Sequence, residues 1–422
     1  ILAQDLRGGQ GRQDNAPEQV AMGQSLCCKP NVTPPETANA ESLGLEKSNG
    51  EAVDKVDPEE AEASKKPELQ RNASAWLFGP HGEGLRTPGN FKVCVAGGAG
   101  SIGQNLCMLL AMDANVSELS ILDLDSAAMP AEGVAVDVAH IACKAAVTSY
   151  TFGAEAKVVD VTEKCLQGCA LVLVTTGAPR TTSKEDAVKN SAEAVKGIVE
   201  ACAKHCPDAM VALMVSPTNS VLPAMAELWR RQGLNPRKMI GITTLNCVRA
   251  EKFLHEATGE SIEENKVPVV GGHAGTTVLP LFSQCPAAKR LDAAQLIDLD
   301  RQVQTASAGV VAKMNGKGGV VLSAAYAAAR LAAAVLAGLA GYPTTECAFV
   351  MSTVTEAPYF TSKVTFGPEG IEQVHTLGDL SDYEKERLSG LMPILRQDIK
   401  KGLDYAAANE LPEKTDGEDK EG

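Results

Sequence analysis

Large aromatic side chains are scarce: tryptophan, tyrosine and phenylalanine together make up 4% of the 422 residues. Interior space must be filled by aliphatic and small residues, and the Ala- and Gly-rich text suggests helices packed closely on a sheet. Basic residues are outnumbered, 39 Lys and Arg against 53 Asp and Glu, for a formal charge of −14. That balance argues against a nucleic-acid surface, which needs a basic stripe. It also means that an anionic substrate has to be gathered by local arginines against the overall field. No apolar run reaches about eighteen residues free of charge, the length a membrane-spanning helix needs. The Ala-rich stretch 331–340 is too short and is expected to pack in a core. The 12 cysteines lack the CxxC spacing of a zinc site and, apart from the adjacent Cys27 and Cys28, stand singly. They read as buried free thiols of a reducing compartment, and no metal site is expected.

Residues 1 to about 90 have few large apolar side chains and no sustained helical or strand period. Rich in Pro, Glu, Ala, Asn and Gly, they cannot bury enough surface to offset the entropy of ordering, and they are expected to form a disordered extension. The layout of a secretory signal is missing, and the acidic residues argue against a transit peptide. Organelle import stays open, because the chain begins at Ile1. Met22 is followed by Gly23-Gln24-Ser25-Leu26-Cys27-Cys28. If translation starts at Met22, Gly23 is open to myristoylation and the cysteines to palmitoylation, the two signals that stable anchoring requires. Cys27 stands where the usual signal has Ser or Thr, and a chance tetrad in a tail is the plainer reading. Membrane association is therefore conditional on that lipidation, and the cytoplasm is the default compartment.

From Phe91 the text changes to strand–helix alternation. Strands are expected at 91–96, 120–123, 170–175 and 211–215, with helices at 102–112 and through 195–199. Strands separated by helices pair in parallel, which gives an α/β fold with a Rossmann-type doubly wound sheet. Past about residue 244 longer helices predominate, with strands at 348–354 and 360–366 and a final amphipathic helix over 381–407. The expected division is a disordered extension (1–90), a nucleotide-binding domain (91–244), a mixed α/β substrate domain (245–408) and an acidic tail (409–422).

Chemistry first shows in Gly97-Gly98-Ala99-Gly100-Ser101-Ile102-Gly103, directly after a strand. Glycines at 97, 100 and 103 let the backbone turn sharply and approach a pyrophosphate, whose charge meets the N–H groups of the helix opened by Ser101 and Ile102. Asp123 closes the next strand, about twenty residues past the last glycine, where an acid bonds the ribose hydroxyls. A carboxylate there repels a 2′-phosphate, so NAD is favoured over NADP. A tight turn followed by an ordinary strand-end Asp is the bland alternative.

Three further stretches carry a resemblance: Thr176-Gly177-Ala178-Pro179-Arg180, Ile242-Thr243-Thr244-Leu245-Asn246-Cys247-Val248-Arg249 and Val270-Gly271-Gly272-His273-Ala274-Gly275. With them the chain resembles the lactate/malate dehydrogenase family, in its mitochondrial and glyoxysomal malate dehydrogenase branch, over about residues 91–407. The resemblance implies NAD-dependent interconversion of malate and oxaloacetate by a homodimer. His273 matches the histidine that exchanges the hydroxyl proton, a role suited to a group titrating near neutral pH. Arg249 matches the residue holding the carboxylate beside the reacting carbon, and Arg180 the one reading the distal carboxylate. Asn219 matches an asparagine that bonds substrate near the nicotinamide, and so counts with both substrate and cofactor residues; a turn Asn after Pro217 is its bland reading.

Two positions depart from the family's pattern. Asn246 stands where an aspartate orients the histidine and stabilises its protonated form. The loop after Arg180 is shorter than the family's and offers Lys184 in place of a further arginine; Lys184 can supply a point charge but not a fork. Two functions follow: a working, slowed NAD-dependent malate dehydrogenase, or a dehydrogenase-fold subunit retained for nucleotide binding or assembly.

Overall fold

The structure, a computed structural model, describes residues 87–177 and 186–411. Gly23, Cys27 and Cys28, the pair Arg180 and Lys184, and the tail beyond Leu411 lie outside the described residues. Six strands, β1 (Phe91–Ala96), β2 (Val116–Leu124), β3 (Ala146–Phe152), β4 (Cys169–Val174), β5 (Met210–Leu213) and β6 (Met239–Gly241), pair in parallel in the order β3-β2-β1-β4-β5-β6. Helices α1 (Ser101–Ala111), α2 (Ala131–Ala139), the short α3 (Val158–Val161) and α4 (Glu163–Leu166), α5 (Ala187–His205) and α6 (Thr218–Arg231) connect them. The doubly wound expectation thus holds, with strands β3 and β6 added to the four that the pattern suggests. β3 gives little signal because its residues are exposed or half-buried throughout, with Thr148, Ser149 and Thr151 among them.

The second half builds on the same sheet. It supplies α7 (Thr244–Thr258), β7 (Val269–Gly271), β8 (Val278–Pro280), α8 (Ala293–Lys313), α9 (Leu322–Leu339), β9 (Thr344–Met351), β10 (Tyr359–Gly367), β11 (Gly370–Val374) and α10 (Asp382–Ala407). β9 joins β6 antiparallel where Gly241 faces Phe349, and β10, β7 and β8 extend the sheet from there, with β11 on β10. A Cβ at position 241 would lie 3.1 Å from that of Phe349 and 3.0 Å from Thr218, so the joint is close-packed around this glycine.

Both faces of the sheet are covered, as parallel sheets require. Cys94 and Ala96 of β1 face one core with α5, α6 and α10, while Val93 and Val95 face the other with α1, α2 and α9. α9 is long and apolar enough to cross a membrane by length and composition, yet 72% of it is buried inside the protein. Its alanines let it lie close against its neighbours, and Arg330 turns out of it to bond Glu251 of α7 and Glu346 of β9. Burial opposes that charge, but the two carboxylates outweigh it and raise the guanidinium pKa. Every described cysteine is a free thiol and all but Cys143 are buried. The fold gathers Cys247, Glu346 and Cys347 with their ligand atoms within 4.8 Å of one another, a grouping that spacing does not reveal.

Candidate active site

The turn between β1 and α1 is built from backbone. Gly97 has φ +84°, and a Cβ on it would stand 2.8 Å from Thr175 Oγ1 and from the N and Oγ1 of Thr176. A Cβ on Gly103 would come within 2.1 Å of the Gly97 carbonyl oxygen, so the first turn of α1 rests directly on the loop. Gly100 caps α1, no side chain among the described residues caps its first N–H groups, and its first turn holds no acid. Ser101 is exposed and Ile102 half-buried at that end. Free N–H groups at a helix start, a positive local field and room for close approach together fit a pyrophosphate. Asp123 lies beside this turn, where its Oδ2 accepts from Ala99 N–H at 2.9 Å and its Oδ1 from Leu124 N–H at 2.9 Å. The carboxylate therefore ties the glycine loop to the end of β2.

The second group of residues converges from five elements. His273 follows β7 on a turn that only glycine permits: Gly271 has φ +96°, and a Cβ on Gly272 would meet Thr277 Oγ1 at 2.4 Å and the Asn219 amide at 2.8 Å. The imidazole Nδ1 faces Asn246 Nδ2 at 3.3 Å. Asn246 is buried in the first turn of α7, and Arg249 follows three residues later on the same helix. Burial, with the positive charge of Arg249 second, lowers the His273 pKa from 6.5 to about 4. Among the described residues no carboxylate counters these two effects. The Asn246 amide is neutral, and with Nδ2 toward Nδ1 the neutral ring carries its hydrogen on Nε2. Turned over, the amide presents Oδ1 and shifts that hydrogen to Nδ1, which frees Nε2 to accept.

Arg249 is 9% exposed. Its Nη1 donates to Ser307 of α8 at 2.8 Å, whereas Nη2 is buried without a hydrogen-bond partner among the described residues. Desolvation lowers its pKa. A buried guanidinium with an idle donor and no carboxylate beside it is costly, and an incoming anion relieves that cost.

Asn219 is hydrogen-bonded to protein partners at both ends of its amide. Its Oδ1 accepts from the His273 backbone N–H at 2.8 Å, and its Nδ2 donates to Thr277 Oγ1 at 3.3 Å and Asp398 Oδ2 at 3.2 Å. The amide has protein partners on both sides and 1% of the residue is exposed, so it holds the histidine turn. Of the residues named from sequence, His273, Asn246, Arg249 and Asn219 are thus brought together, as are the glycines with Asp123. Three participants, Thr277, Ser307 and Asp398, leave no sequence signal; each is a common residue placed only by tertiary packing.

Residues 91–241 match the lactate/malate dehydrogenase NAD binding domain, and residues 243–406 match the alpha/beta C-terminal domain of the same enzymes. A mitochondrial malate dehydrogenase of Chlamydomonas reinhardtii is 44% identical over 317 residues, covering 74% of this chain and 82% of that one. The human mitochondrial malate dehydrogenase is 39% identical over 320 residues, covering 75% and 92%. Among solved structures, the apo malate dehydrogenase of Picrophilus torridus is similar with TM-score 0.65 at 19% identity, covering 76% of this chain and 99% of its own. A lactate dehydrogenase from a deep-sea metagenome is similar with TM-score 0.62 at 18% identity, covering 76% and 100%. At such identities the structural likeness speaks for the fold.

Proposed function

The chain belongs to the lactate/malate dehydrogenase family, and from that premise we propose that it interconverts malate and oxaloacetate with NAD, His273 exchanging the proton. The observation that carries this reading is the buried, half-satisfied Arg249 guanidinium beside His273. Nη2 of Arg249 takes the carboxylate next to the reacting carbon, which sets the hydroxyl against the imidazole. Nε2 of His273 then accepts the hydroxyl proton when Asn246 presents Oδ1 to Nδ1. NAD, held by the glycine turn and Asp123, supplies the hydride acceptor when bound. Arg180 serves as the distal clamp, which favours malate over lactate, and Lys184 as the loop's cation. Residues 91–244 form the nucleotide-binding half and 245–408 the substrate half. The neutral partner at 246 suits proton acceptance better than proton donation, because donation requires an imidazolium that no carboxylate supports.

A homodimer is the proposed assembly; the exposed apolar Met129, Val136 and Leu322 are candidates for its surface. The relatives are named as mitochondrial, which favours an organelle over the cytosolic default. Absorbance at 340 nm, followed with malate plus NAD and with oxaloacetate plus NADH, tests the activity. Turnover of about 1–10³ per second is expected in at least the oxidising direction. Tight calorimetric binding of NADH without turnover in either direction would overturn the enzymatic reading.

A further inference from the structure

We propose that Asp398, on the last helix, is a positioning residue for the histidine turn and acts through Asn219. The inference rests on the reading of His273 as the proton carrier and adds to it what holds that residue in place. Two acceptors stand on one side of the Asn219 amide. Asp398 offers Oδ2, and Thr277 offers its oxygen, because its hydroxyl hydrogen already goes to the Ala274 carbonyl at 2.7 Å. One donor, the His273 N–H, stands on the other side. Turning the amide over would set Oδ1 against a carboxylate and an NH2 group against an N–H. Asp398 thereby fixes which end of Asn219 faces the turn, and the turn is held at the residue that reacts.

The helix carrying Asp398 is itself set by a close approach. Ser220 Oγ donates to the Asp398 carbonyl at 2.7 Å, and one turn on, a Cβ at Gly402 would fall 1.9 Å from the Ser220 carbonyl oxygen. Glycine inside a helix is unfavourable; here it lets α10 lie on α6 and brings Asp398 within reach of Asn219. The same helix grips the far end of the turn, where Arg387 donates to the carbonyls of Thr276 at 3.3 Å and Val278 at 3.0 Å. Lys401, one turn along α10, meets the second oxygen of Asp398 at 3.2 Å, so both carboxylate oxygens have a partner.

A reciprocal swap in the full chain tests the relay. In Asn219→Asp two carboxylates face each other, and kcat is expected to fall about ten- to a hundredfold, the scale of a misplaced catalytic group, with KM and NADH affinity changed less than about threefold. Adding Asp398→Asn restores a donor–acceptor pair of reversed polarity, with the residue 219 carboxylate still accepting from His273 N–H. Recovery of kcat to within about fivefold of wild type is expected. An Asn219→Asp enzyme as active as wild type, or a double variant no better than it, overturns the relay while leaving the dehydrogenase reading intact. Hydrogen exchange of the His273 amide gives a second readout that does not depend on turnover. Asp398→Ala should speed that exchange about five- to tenfold, and an unchanged rate overturns the relay even in a protein with no activity. An inactive wild type whose His273 exchange responds to Asp398→Ala would instead overturn the function and keep the relay.

Discussion

The glycine turn after β1 and the histidine turn after β7 both depend on missing side chains, yet they are assembled in different ways. The first is continuous in sequence: strand, glycines and helix lie within residues 91–111, and the groups proposed to face the cofactor are backbone N–H. The second draws Asn219, Asn246, His273, Thr277 and Asp398 from α6, α7, the turn after β7 and α10. A backbone site is spoiled by adding atoms. A side-chain site is spoiled by losing a partner, and Asn246, where the resemblance implies an aspartate, supplies a neutral amide of the same shape.

If the two sites are separable, His273→Asn should lower kcat by about 10²–10⁴-fold, the range for loss of a general acid or base, and leave NADH affinity unchanged in a calorimetric titration. A matching loss of NADH binding would break the comparison. Gly103→Ala should do the reverse, since its Cβ would press on the Gly97 carbonyl. Overpacking of about 1–3 kcal/mol corresponds to NADH binding weakened roughly 5- to 150-fold, with the His273 exchange rate untouched. The smallest change is the most informative. Proton acceptance needs the neutral imidazole, so with a pKa of about 4 malate oxidation should hold level as pH falls and drop only near that value. Oxaloacetate reduction needs the protonated ring and should weaken steadily above it. Asn246→Asp places an anion beside Nδ1 and should move both limbs upward by about 1–3 pH units, with reduction at pH 7 rising accordingly. Unmoved pH profiles would show that residue 246 does not tune the histidine.

How far the sequence discloses these sites follows the same division. Gly97, Gly103 and Asp123 are legible because a tight turn on a helix start restricts residue type locally. His273 between glycines, and Asn246 one turn ahead of Arg249, are legible because helical spacing and resemblance coincide. Asn219 stands out in the sequence but its work does not, since its neighbours in space, His273 and Asp398, are decided by how α6 and α10 pack. Asp398 itself looks like any acid on an amphipathic helix. Short strands such as β6, β7 and β8, three residues each, are too brief for a period to show, and this hides the continuity of the sheet.

That continuity has a consequence for how the chain acquires its structure. β6 finds its outer neighbour only in β9, through Gly241 and Phe349. During synthesis the nucleotide-binding half therefore carries an open, hydrogen-bonding sheet edge until the C-terminal half emerges. Non-local pairing of this kind slows folding, and an uncovered edge invites pairing with other chains. The substrate half thus also works as an edge guard for the half that precedes it, and truncation before Phe349 should yield aggregates instead of a free nucleotide-binding domain.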